Sequence, residues 1–89
     1  MADLDERGLP TTIKDLEKDW AGRAARYLKA ELKRADVTYE ELASRLNAKG
    51  WEETKASIAN KLSRGAFTAT FFIATLAEIG CSTVRIEDI

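Results

Sequence analysis

The residues of this chain best suited to meeting a partner lie in "TKASIANKLSRG", residues 54–65. Ser57, Asn60, Lys61 and Arg64 recur there at i, i+3, i+4 and i+7, the spacing of one face of a helix. With Ile58 set at 0° and ~100° per residue, Ile58 and Leu62 centre an aliphatic side near ~45°, and Asn60, Arg64, Ser57 and Lys61 fall between ~200° and ~300°. The outward side then carries small donors, one amide and two cations, with no acid. Such a surface suits a nucleic-acid groove: asparagine pairs bidentately with adenine, arginine with guanine, and lysine or serine can hold phosphates. Lys55 adds a cation in the first turn. An ordinary solvated helix face has the same composition, and on this stretch alone that plainer alternative weighs more.

Little else in the chain suggests chemistry. There is no histidine, and Cys81 is the single cysteine. An internal disulfide, a cysteine cluster and a conventional zinc site are therefore excluded. No Gly-rich phosphate loop is present. Glu40 and Glu41 are adjacent, so on a helix they point about 100° apart, and capping explains Glu41 better than acid chemistry. Cys81 reads as a structural thiol and Trp20 and Trp51 as core anchors. We expect no enzyme, no cofactor, no metal and no small-molecule ligand. The apolar runs are too short to span a membrane, and "MADLDERGLP" has no apolar signal region. The expected location is cytoplasmic.

The net charge of −1 hides an asymmetry. Residues 1–19 carry three cations and six acids; residues 20–67 carry ten and six; residues 68–89 carry one and three. The positive middle contains the stretch above and hints at a polyanionic partner.

The elements that must position these residues follow from periodicity. With 89 residues the chain forms one domain. Residues 1–15 read as a loose N-terminal arm and 16–89 as the folded domain. A first helix over 16–35 places Trp20, Ala24, Tyr27, Leu28 and Leu32 in an apolar stripe. Arg26, Lys29 and Lys33 lie on another face and are candidate accessory phosphate contacts. Thr38 and Glu41 form a capping-box pattern that opens a second helix over 38–49, with Val37 as its staple. Gly50 suits its end, and Trp51 plugs the core. A third helix over 54–64 starts at Thr54 and ends before Gly65. A fourth, over 68–79, starts at Thr68 and is expected to bury Phe72, Ile73, Leu76 and Ile79. The tail "CSTVRIEDI" is expected to dock as an extended segment. The expected core is Trp20, Tyr27, Leu28, Leu42, Leu46, Trp51, Ile58, Leu62, Phe72 and Leu76. The fold class is all-α, a compact four-helix domain.

The segments "VTYEELASRL" and "ASIANKLSRGAFTATFFIATLAEIG" resemble the Cro/C1-type (lambda-repressor-like) helix-turn-helix family. The matching positions are Leu42, Ala43 and Leu46, then Ala59, Leu62, Arg64 and Gly65, then Leu76, Ile79 and Gly80. This resemblance implies a helix-turn-helix domain in which residues 54–64 are the recognition helix of a DNA-binding transcriptional regulator. The blocks "LKAELKR", "TYEELA" and "IANKLSRG" are also similar to a small bacterial family catalogued as a domain of unknown function, over about residues 20–89, and that likeness is the nearer one. The chain departs from the repressor pattern in its connection "NAKGWEE", seven residues where three or four are usual. Tyr39 stands where the repressors commonly carry a phosphate-contacting glutamine. Glu52 and Glu53 are expected to repel phosphate at the mouth of the third helix.

The expected partner is double-stranded DNA, with Ser57, Asn60, Lys61, Arg64 and Lys55 on the interface. These side chains are expected to face solvent, so that their removal leaves stability nearly unchanged. A homodimer through the fourth helix or the termini is expected from the Phe71–Phe72 pair and the spaced aliphatics of the tail. The alternative is a protein–protein interaction module on the same scaffold without DNA binding.

Overall fold

The computed structural model describes residues 12–89. Most of the expected arm, residues 1–11, lies outside the described residues. Four α-helices follow in order: α1 (Ile13–Arg34), α2 (Tyr39–Asn47), α3 (Lys55–Arg64) and α4 (Ala69–Glu78); a single 3-10 turn, Ile86–Asp88, ends the chain. The described residues are all helix and connections, as the periodicity predicts. α1 starts three residues before the expected Leu16, because Thr12 caps it.

Every α-helix opens on a threonine. The hydroxyls of Thr12, Thr38, Thr54 and Thr68 accept from the backbone N–H of Asp15, Glu41, Ser57 and Phe71. Each satisfies a donor that the first helical turn cannot pair internally. The capping box expected at Thr38 is only half present: Glu41 turns instead to Arg45, at 2.8 Å. The complete box is at α3, where the Ser57 hydroxyl accepts from the Thr54 N–H at 2.8 Å.

The helices also end alike. Asp36, Gly50, Gly65 and Gly80 have φ of 58°, 96°, 63° and 81°. The N–H after each bonds the carbonyl five residues back, Val37 to Leu32, Trp51 to Leu46, Ala66 to Lys61 and Cys81 to Leu76. This is the six-to-one bond of a Schellman turn. At Gly65 a side chain is excluded twice, since a Cβ there would meet the Ala21 carbonyl oxygen of α1 at 3.2 Å.

α3 packs on both α1 and α2, and α4 packs across the same pair. Leu28, Leu42, Leu46, Ile58, Leu62 and Leu76 form the core as expected, joined by Leu32 and Val37. Phe71 is its largest side chain, 1% exposed, with the rings of Phe67 and Trp51 at 5.8 and 6.3 Å. The expected face of α4 is thus corrected. Phe71, Thr75 and Leu76 point inward, Phe72 is half-buried against Tyr27, and Ile73 is 65% exposed. Trp20 is corrected too: it is 44% exposed, with the Arg23 guanidinium stacked on its ring at 3.9 Å. Tyr27 and Trp51 are half-buried, flanking the core. The tail docks through a helical turn and not as a strand, anchored where Arg23 Nε and Nη2 donate to the Ile89 main-chain oxygen at 3.0 and 2.9 Å. No described helix is long and apolar enough to cross a membrane.

Candidate nucleic-acid interface

The long connection into α3 is braced. The Asn47 side chain clasps the backbone of Glu53, its Nδ2 donating to the Glu53 carbonyl at 2.8 Å and its Oδ1 accepting from the Glu53 N–H at 2.7 Å. α2 ends at Asn47, short of the expected residue 49, because the chain turns left-handed at Gly50 and the Trp51 N–H closes on the Leu46 carbonyl. Gly50 reverses the chain, and Trp51 packs edge-on against Phe71. Seven residues thus present α3 in one fixed orientation.

Glu53 does not stand at the mouth of α3 as a free charge. It is 6% exposed, and its carboxylate accepts from the Ser57 hydroxyl at 2.7 Å and from the Lys61 ammonium. Glu53, Ser57 and Lys61 are spaced by four and form one stripe up the helix, and the Lys61 ammonium also lies 4.6 Å from the centre of the Phe71 ring. Burying a carboxylate is costly unless it is paired and hydrogen-bonded, and here both conditions are met. Only Glu52 is left exposed at that end.

The expected five-residue set is therefore divided. Asn60 and Arg64 are exposed on the same outward arc and have no hydrogen-bond or ion-pair partner among the described residues. Ser57 and Lys61 are half-buried and engaged with Glu53, so the expectation that they face solvent freely is corrected. Lys55 is exposed but lies about 140° round the helix from Asn60, and the two do not share a face. The outermost arc of α3 is Ala56, Asn60, Ser63 and Arg64. Ala56 and Ser63 were not among the expected residues. Their signal was available, since both lie opposite Ile58 on the wheel, but small residues draw no attention. Arg26, Lys29 and Lys33 are exposed on α1.

This arc offers one amide, one guanidinium and one hydroxyl on a rigid, doubly capped helix, with small side chains between them. α3 carries no acidic residue. The cationic end of the macrodipole at its first turn adds to the local positive potential.

The chain belongs to the family described as a domain of unknown function, DUF6471, which matches residues 20–84. The likeness to Cro/C1-type repressors gains no support from that match. No curated protein and no solved structure matches the chain.

Proposed function

We propose that this domain binds double-stranded DNA as a transcriptional regulator of helix-turn-helix type, with α2 as the supporting helix and α3 as the recognition helix. The observation that carries this reading is the outward arc of α3, where Asn60 and Arg64 stand exposed and unpartnered beside Ala56 and Ser63. Both side chains project from a helix capped at its first turn by Thr54 and at its last by Gly65. Small neighbours let the backbone approach base edges closely, and asparagine and arginine are the side chains that read adenine and guanine bidentately. The pairing of Glu53 with Lys61 removes an acid that would otherwise face the phosphates. Lys61 then acts as a positioning residue for α3, and Lys55 and Lys29 remain available to phosphates. Titration of labelled duplex DNA at rising salt tests this: binding should weaken with salt, and Asn60→Ala and Arg64→Ala should each cost about 1–3 kcal/mol on a preferred site and much less on random DNA.

A second reading, a protein-interaction module, is favoured by a different observation. Among the described residues, five of the six large exposed hydrophobics, Ile13, Leu16, Trp20, Ile73 and Ile86, line one apolar groove of about 680 Å³ between α1, α4 and the tail. A contiguous apolar face of that kind marks a docking surface more often than scattered exposure does. A homodimer through this groove is compatible with DNA binding, since such domains commonly pair on two half-sites.

A further inference from the structure

A second groove, of about 850 Å³, lies between α1 and the chain after α4, and Arg23, Arg26, Arg34, Arg85, Tyr27 and Cys81 line it. Its volume falls within the roughly 300–1,000 Å³ of small-molecule sites. Arg23 holds it in shape, its guanidinium stacked on Trp20, its Nε and Nη2 donating to the Ile89 main-chain oxygen and its Nη1 3.6 Å from Asp19 Oδ2. Arg26 has no hydrogen-bond or ion-pair partner among the described residues. Arg34 and Arg85 are paired only with Glu31 and Glu87, two or three residues away, and their side chains are 74% and 70% exposed. The Arg85–Glu87 pair is exposed on both sides and is readily exchanged for a stronger partner, whereas Glu31, 13% exposed, keeps its hold on Arg34. Glu31 and Asp88 also line the groove among its four guanidinium groups.

We propose that this groove binds a small phosphate monoester of nucleotide size, a site separate from the DNA face and independent of that reading. A guanidinium matches the oxygens of a phosphate bidentately, and Arg26 and the exposed fork of Arg85, both lining the groove, offer donors of that kind. Tyr27 lines the groove as well, and its phenol, held above its ordinary value first by burial and then by neighbouring Cys81 and Glu31, is a further hydrogen-bond donor there. Position argues against a nucleic-acid backbone here. Arg23 and Arg26 lie about 160° and 140° round α1 from Ala21, against which α3 ends. Glu31 and Asp88 tolerate one discrete phosphate between guanidinium groups but repel a continuous run of them. The sequence alone did not suggest a small ligand, because Arg26 and Arg85 are distant in the chain and only the docked tail brings them together.

Nuclear magnetic resonance of the full chain at low salt tests the proposal, with inorganic phosphate, adenosine 5′-monophosphate, adenosine and a short DNA duplex as separate probes. Inorganic phosphate and the monophosphate should give saturable shifts at the amides of Tyr27, Ala30, Cys81 and Thr83, and adenosine should give none. Arg26→Ala should weaken the monophosphate by about tenfold or more, the loss expected of one charge-assisted contact, without changing the thermal midpoint. Arg26→Lys should restore part of it, since an ammonium keeps the charge and loses the fork. The proposal is overturned if neither phosphate probe gives saturable shifts there or if Arg26→Ala binds as tightly as the parent. It is equally overturned if the duplex alone perturbs these amides, or if the phosphates perturb only α3. Failure of the duplex to bind α3 would instead count against the DNA reading and leave this site standing.

Discussion

Lys61 is held between the Glu53 carboxylate and the Phe71 ring, and this decides what its removal does. Lys61→Ala leaves Glu53, 6% exposed, with Ser57 as its remaining side-chain partner. A buried charge stripped of its partner should cost about 1–3 kcal/mol, read by urea titration. Asn60→Ala and Arg64→Ala should stay within about 0.5 kcal/mol of the parent, because both side chains end in solvent. Equal costs for all three would show that the Glu53–Lys61 pair contributes nothing. Thr75 presents the opposite case. Its hydroxyl oxygen is buried with no hydrogen-bond partner among the described residues, and the side chain is fully buried. Thr75→Val keeps the shape and removes the unpaired group, so it should stabilise by about 1 kcal/mol; a loss of stability would mean that the hydroxyl is in fact satisfied. Asn60 and Arg64 were legible as a shared face from spacing alone. Glu53 was not, although its spacing of four from Ser57 and eight from Lys61 put it on their stripe, because a glutamate outside the helix reads as solvent-facing until its burial is seen.

At the scale of elements, the starts of α2, α3 and α4 were the most legible feature, since Thr38, Thr54 and Thr68 each stand directly before an apolar periodic run; the start at Thr12 was not legible, because the run behind it is sparse. The face of α4 was the least legible. "FFIATL" is apolar almost all round, so periodicity cannot choose between Phe71 and Ile73, and the inward Thr75 argues the wrong way. Packing against Trp51 and Phe67 makes the choice. The helix ends carry a testable difference. α1 closes on Asp36 at φ 58°, where the other three helices use glycine. Asp36→Gly should stabilise by up to about 1 kcal/mol, since glycine adopts this conformation without steric cost. Gly80→Ala should cost about 1 kcal/mol through backbone strain, as a Cβ there meets nothing within 4 Å. Gly65→Ala should cost more, because its Cβ also meets the Ala21 carbonyl of α1. Thermal unfolding of the three variants ranks them, and a smaller loss at Gly65 than at Gly80 would contradict the close approach of α3 to α1.

For the whole molecule, two surfaces bear on partners of macromolecular size, the outward arc of α3 and the apolar groove along α1, α4 and the tail. The homodimer was expected to use Phe71, but that ring is in the core; Ile73 is the residue of α4 that is free to meet a partner. If the groove is a contact between copies, sedimentation at high micromolar concentration should show self-association, and Ile73→Asp should abolish it while the fold is kept. A monomer under those conditions would remove the homodimer. The excess of cations in residues 20–67 is shared between faces, since Arg23, Arg26 and Arg34 line the groove between α1 and the tail, and the chain as a whole is slightly acidic. On the proposed reading, α3 enters the major groove of duplex DNA. Fluorescence anisotropy with a labelled random duplex, run from about 50 mM salt upward on the parent and on Arg64→Ala, tests it most directly. The parent should bind at micromolar protein and lose affinity linearly in log–log form as salt rises, and a site selected from random sequence should bind more tightly and lose that advantage in Arg64→Ala. Absence of any salt-dependent binding at about 50 mM salt would contradict the claim, and the interaction-module reading would take its place.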